Sequence, residues 1–184
     1  MERRLEKNFA ALSSSLRAIR WEGVSTFLNP SRVTSSQLHF TMARASLYLH
    51  FPGNAEEAFH FYRSVFRTEF VGPIKRFGDL PCGPGQPPWP PEQARLVMNI
   101  SLPILGGFVI MGNDAPEAMG KLIQGNNVTI NLEPDTRAET DRLFAALKEG
   151  GTVEYAPTDM PWGGYWGSLI DRFGIEWMFN CAAT

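Results

Sequence analysis

The stretch NVTINLEPDTRAETDRLFAALKEGGTVEYAPTDMPWGGYWGSLIDRFGIEWMFN, residues 127–180, decides the fold. Val128–Leu132 (VTINL) is a short β-branched run that ends at Glu133-Pro134, as a strand does. DTRAETDRLFAALKEGG then has the marks of a helix. Asp135 is placed to cap the free N–H groups of its first turn, and Gly150-Gly151 supplies the positive φ that ends its last. Leu143, Phe144 and Leu147, backed by Ala146, form its apolar stripe. Thr152–Ala156, Trp166–Asp171 and Ile175–Asn180 follow as strand-like runs between Gly/Pro turns. The order is β-α-β-β-β.

The first half repeats that order without repeating the letters. SLYLHF (Ser46–Phe51) closes at Pro52-Gly53, and Asn54 is placed to cap the helix AEEAFHFYRSVF. Its Ala58, Phe61, Tyr62, Val65 and Phe66 fall at helical spacing. Thr68–Ile74, Arg95–Leu102 and Phe108–Met111 are the three further strand-like runs. Neither unit can cover both faces of its own sheet, so pairing the two makes one core. The expected class is therefore α+β, built as two βαβββ modules: module one at 46–112, a linker at 113–125 and module two at 126–180.

Residues 1–41 stand apart. Leu5, Phe9, Leu12, Leu16 and Ile19 recur at spacings of four and three, an amphipathic pattern, and the segment is net +3 against −5 for the remainder. A transit peptide, a partner-binding or membrane-surface helix, and a loose appendage ahead of a domain at 42–184 are the three readings, the last being the plainest. The loop FGDLPCGPGQPPWPPEQ places six prolines between Pro81 and Pro91. It is a flap over a pocket, or a solvated loop with Trp89 packed locally.

Composition excludes several classes. The chain has 184 residues, is 43% hydrophobic and carries a formal charge of −2, which suffices for a sizeable core and gives no basic stripe for nucleic acid. Two cysteines, Cys82 and Cys181, make neither a disulfide framework nor a zinc spacing and point to a reducing, cytoplasmic setting. No apolar run approaches the roughly 20 residues of a membrane span.

LYLHFPGNAEEAFHFYRSVF, the following FGDLP, VMNISL, FVIMGNDAP and DRFGIEWMFN together resemble the PhnB-like branch of the vicinal oxygen chelate superfamily, which includes glyoxalase I, bleomycin-resistance and extradiol-dioxygenase proteins. The resemblance spans roughly Ser46 to Asn180. It implies a glyoxalase-like fold, in which two βαβββ modules form curved mixed sheets around a shared cavity often completed by a homodimer. It also implies a divalent metal held from the first strand of each module and from the last strand. The matching positions fall at or near Ser46, Asn127 and Met178, whose hydroxyl, amide and thioether are poor ligands for such a metal. A one-residue slip to Leu47, Val128 or Trp177 does not restore a triad. Where the branch often has His in its V-M-H run, this chain has Asn99, an amide that hydrogen-bonds but carries no titratable proton near pH 7. Phosphonate, from which the branch takes its name, would want an Arg/Lys cluster. Lys75-Arg76 is the single adjacent basic pair of the folded part.

No resident cofactor is expected, a divalent metal being allowed by the family but not supported by its ligand positions. The leading expectation is a small-molecule binding protein without the metal triad, using Tyr48, Trp162, Tyr165, Trp166 and Asn99, with His50 and Glu176 as further candidates. His50, with Tyr48 and Glu176, is the candidate for an improvised catalytic site, against the plainer reading that a lone strand His is structural. The alternatives are a metal-dependent lyase, isomerase or dioxygenase with an altered ligand set, and a structural or regulatory homodimer.

Overall fold

The computed structural model describes residues 45–81, 87–116 and 120–182. The expectations for residues 1–41, and for Cys82, lie outside them. Module one runs β1 (Leu47–Phe51), α1 (Ala55–Phe66), β2 (Lys75–Arg76), a one-turn α2 (Pro91–Ala94), β3 (Val97–Pro103) and β4 (Val109–Asp114). Module two runs β5 (Ile130–Leu132), α3 (Arg137–Leu147), β6 (Thr152–Asp159), β7 (Gly164–Ile170) and β8 (Glu176–Ala182). The sheet orders are β1-β4-β3-β2 and β5-β8-β7-β6. In each, the first strand pairs parallel with the last (β1 with β4, β5 with β8) and the other pairings are antiparallel. The two βαβββ modules are therefore present as the sequence pattern implied.

Each helix packs on one face of its own sheet. Ala55, Ala58, Phe59, Tyr62 and Val65 of α1 and Thr140, Leu143, Phe144 and Leu147 of α3 are buried. The two helix-bearing faces meet in one continuous apolar core, in which the Tyr62 and Phe66 rings lie 5.5 and 5.7 Å from that of Trp177. Arg142 on α3 also donates to the Val65 carbonyl at the end of α1, at 2.9 Å. The opposite face of each sheet has no second layer among the described residues.

Four local expectations are corrected. Thr68–Ile74 is not a strand: Gly72-Pro73 interrupts it, and β2 is only Lys75–Arg76. Asn54 does not cap α1 with its side chain. The Asp114 carboxylate at the end of β4 accepts from Ala55 N at 2.8 Å instead, and from Val97 N at 2.8 Å. A carboxylate is the stronger acceptor at a helix start, and it reaches across the parallel β1–β4 pair. The cap of α3 is Thr136, not Asp135: its Oγ1 accepts from Glu139 N at 3.2 Å. Finally, Asn113 and Asp114, placed in the linker by pattern, are the last residues of β4. The Pro-rich loop takes the local alternative, with Trp89 half-buried against Phe77 at 5.0 Å between ring centres.

Candidate functional site

Strand alternation assigns each side chain to the helix-bearing or the open face. In β7, Leu169 is fully buried, so Tyr165, Gly167 and Leu169 face the helices while Trp166, Ser168 and Ile170 face out. In β8, Trp177, Phe179 and Cys181 are buried, leaving Glu176, Met178 and Asn180 on the open face. In β1, Phe51 is buried and Tyr48 and His50 are exposed. Ser101 and Met111, paired across β3 and β4, share their open face.

Where the two modules abut, β1, the 122–125 segment and the start of β8 border an open pocket of about 250 Å³ whose lining includes Tyr48, His50 and Glu176. Apolar walls come from Leu47, Leu49, Val128, Ile130 and Ile175. The Tyr48 and His50 rings are 5.3 Å apart and tilted by 42°. Tyr48 donates its hydroxyl to the Met98 carbonyl at 3.3 Å, so its ring, not its O–H, is what a ligand meets. His50 Nδ1 lies 2.7 Å from Oδ1 of buried Asn113. With that oxygen as acceptor, Nδ1 carries the hydrogen and Nε2 keeps a free lone pair. Glu176 Oε2 is shielded from solvent and has no hydrogen-bond partner.

Behind the pocket, the DRFGIEW run fixes where Glu176 stands. Buried Asp171 accepts at Oδ1 from Phe173 N (2.8 Å) and Ile175 N (3.0 Å), and at Oδ2 from Tyr62 Oη (2.7 Å) and Trp177 Nε1 (2.8 Å). Gly174, at φ 82°, completes the turn. Burial, and then Asp171 beside it, raise the Tyr62 phenol well above its usual range. Arg172 is drawn off over the Phe61 and Phe173 rings, 4.4 and 4.9 Å from their centres.

The other candidates are dispersed. Asn99 sits on β3 opposite Lys75, away from this pocket. Trp166 meets Tyr155 at 5.4 Å farther along the module-two sheet. Trp162 lies in the β6–β7 turn, 67% exposed. Tyr165 is on the wrong face: its hydroxyl donates to Asp141 of α3 at 2.8 Å, and the Arg137 guanidinium covers its ring at 4.8 Å. The period of two counted back from Leu169 was the signal that places it there. Asn113, which sequence reasoning missed, left no local signal, because its partner is 63 residues away.

The family metal does not fit the donors present. Ser46 and Asn127 are exposed just outside β1 and β5, and Met178 faces Asn131 and Ser168. No group of three His, Cys, Asp or Glu among the described residues is placed to share an ion. At the triad positions stand a hydroxyl, an amide and a thioether, a poor donor set for a hard divalent metal.

A chain of two mixed βαβββ sheets, packed through their helices and open on their other faces, has the fold of the glyoxalase/bleomycin resistance/dioxygenase class. A glyoxalase/bleomycin resistance protein/dioxygenase family enzyme of Burkholderia phytofirmans PsJN shares this fold, with a TM-score of 0.50, 21% identity, and coverage of 75% of this chain and 99% of that one. The family model described as 3-demethylubiquinone-9 3-methyltransferase matches residues 43–179, and the chain belongs to that family, the PhnB-like branch of the class. Protein PA1353 of Pseudomonas aeruginosa is 31% identical, with a TM-score of 0.67 over 78% of this chain and 100% of that one. A Bacillus cereus protein titled a putative 3-demethylubiquinone-9 3-methyltransferase, PhnB protein, is 26% identical, with a TM-score of 0.55 over 76% of this chain and 100% of that one. Among the described residues, no helix is long and apolar enough to cross a membrane.

Proposed function

We propose that this chain is a small-molecule binding protein of the vicinal oxygen chelate fold, holding its ligand at the module seam without the family's metal triad. The observation that carries the proposal is the convergence of Tyr48, His50 and Glu176 on one pocket, with His50 oriented by buried Asn113. A pocket of apolar walls with a few convergent polar groups is the usual form of a ligand site. Asn99, Trp162, Tyr165 and Trp166 drop out of its lining.

A homodimer in the cytoplasm completes the proposal. The open sheet faces, with Met111, Met178 and Trp166 half-exposed, have no covering layer among the described residues, and a second copy is the common way to cover such a face. The test has three parts. Thermal-shift screening of the full chain against a broad metabolite and drug panel should return stabilising ligands, and His50→Ala and Tyr48→Ala should lose them. Light scattering should give a dimer at micromolar concentration. Elemental analysis of protein purified without chelators or a metal-binding tag should find no stoichiometric metal. Near-stoichiometric zinc, nickel, manganese or iron would turn the reading toward a lyase, isomerase or dioxygenase with an altered ligand set.

A further inference from the structure

We propose that the ligand of the seam pocket is a small organic cation, a protonated amine on an apolar body, and this rests on the pocket being the ligand site. Among the residues lining it, Glu176 is the one Asp, Glu, Lys or Arg. Lys121, next to lining Leu122, is exposed and outside the lining, and Arg172, four residues before Glu176, is engaged elsewhere. Arg172 is stacked on Phe61 and Phe173 and lies 3.8 Å from Glu57, and Arg76 is held by both oxygens of Glu56 at 2.9 Å. Glu176 makes no ion pair within the described residues, and its Oε2 is shielded from water without a partner.

A carboxylate oxygen kept from both water and protein donors is costly, and a bound ammonium removes that cost by donating to the same group. The other polar side chains of the lining are Gln124, His50 and Tyr48, and Gln124 gives an Nε2 hydrogen to the Phe173 carbonyl at 3.3 Å. His50 presents Nε2, because its Nδ1 hydrogen goes to Asn113, and Tyr48 presents the negative face of its ring, because its O–H goes to Met98. An anion would meet Glu176 with no lysine or arginine to offset it. Phosphonates and carboxylates are therefore the wrong class. The body of the ligand follows from the walls. Ile123 and Val128, at the rim, are 83% and 63% exposed and gain a cover when an apolar group enters. At about 250 Å³ the pocket lies below the roughly 300–1,000 Å³ of drug-sized sites, so the amine is a small one.

Three compounds of one shape separate the charge from the apolar body: 2-phenylethylamine, 2-phenylethanol and phenylacetate. Calorimetric titration of the full chain should show the amine tighter than the alcohol by about tenfold, with the carboxylate weakest. Glu176→Gln should bring the amine to the affinity of the alcohol while the alcohol changes by less than about twofold, and Tyr48→Leu should weaken the amine about threefold. If phenylacetate binds as tightly as the amine, or if Glu176→Gln leaves the amine unchanged while Tyr48→Leu or His50→Ala weakens the alcohol, the cation inference is overturned and the pocket reading stands. Binding of none of the three overturns both.

Discussion

Asp171 and Glu176 are five residues apart in DRFGIEW and have opposite fates. Asp171 turns toward the helices and satisfies four donors from both modules. Glu176 turns toward the open face, where one of its oxygens has none. The same division runs through the molecule. On the helix-bearing side every strand but β2 and β6 contributes to one core, Asp114 ties together backbone of α1 and β3, and Asp171 ties its own turn to Tyr62 of α1. On the open side stand the exposed aromatic rings, the His50–Asn113 pair and the seam pocket. Two carboxylates of one seven-residue run thus stand in opposite surroundings. Only the facing tells them apart.

The largest expected effect lies on the closed side. Asp171→Ala leaves Tyr62 Oη, Trp177 Nε1 and two backbone N–H groups buried without an acceptor, and should cost about 3–5 kcal/mol in urea denaturation. A loss below about 1 kcal/mol would mean that water or a shifted backbone replaces the carboxylate, and the contrast with Glu176 would collapse.

Tyr62→Phe keeps the ring contacts and removes one donor to that carboxylate, for an expected loss of about 1.5–3 kcal/mol. It also carries a pH signature. The folded phenol ionises well above its ordinary value because of burial and Asp171, so the unfolded chain gives up that proton first. Its contribution is fully present below about pH 10 and is lost as pH rises from there through the folded value. Wild-type stability should therefore fall above about pH 10 with a slope that Tyr62→Phe reduces. Parallel slopes in the two proteins would detach Tyr62 from Asp171.

The module order was legible because it rests on local chemistry: the stripes Leu143-Phe144-Leu147 and Ala58-Tyr62-Val65, and the Gly/Pro turns between strands. The failures are of two kinds. The cap of α1 and the orienting partner of His50 are long-range, supplied by Asp114 and Asn113 at separations of 59 and 63 residues, and no window of sequence contains both ends. Tyr165 is a failure of phase. Aromatic residues in GGYWG suggested one wall, but Tyr165 turns to Asp141 of α3 while Trp166 meets Tyr155 on the other face of the sheet, so the two form no common wall. The grouping of His50 with Tyr48 and Glu176 as an improvised site was open to a reading of the sequence; that β1 and β8 abut, which gives the three one pocket, was not.

Gly112→Ala gives a smaller closed-side effect. A Cβ there would lie 2.7 Å from Phe59 Cε2 and 2.9 Å from the Leu49 carbonyl oxygen, between α1 and β1. The helix must shift, at about 1–3 kcal/mol. Stability unchanged by this methyl would show that α1 is packed more loosely on its sheet than the closed side requires.

Glu176→Met should have the smallest effect on stability and is the sharpest test of the comparison. The side chain it removes has a shielded oxygen with no donor, so nothing buried is orphaned when it goes, and an unbranched thioether of similar length can lie against Leu47, Val128 and Ile130. Stability should stay within about 1 kcal/mol of wild type or rise, since replacing an unsatisfied buried polar group by an apolar one is neutral or favourable. Asp171→Ala and Glu176→Met should therefore differ by several kcal/mol, although both remove a carboxylate from the same seven-residue run. If Glu176→Met destabilised the fold as much as Asp171→Ala does, Glu176 would be an architectural group. Its unpartnered oxygen would then no longer point to a ligand.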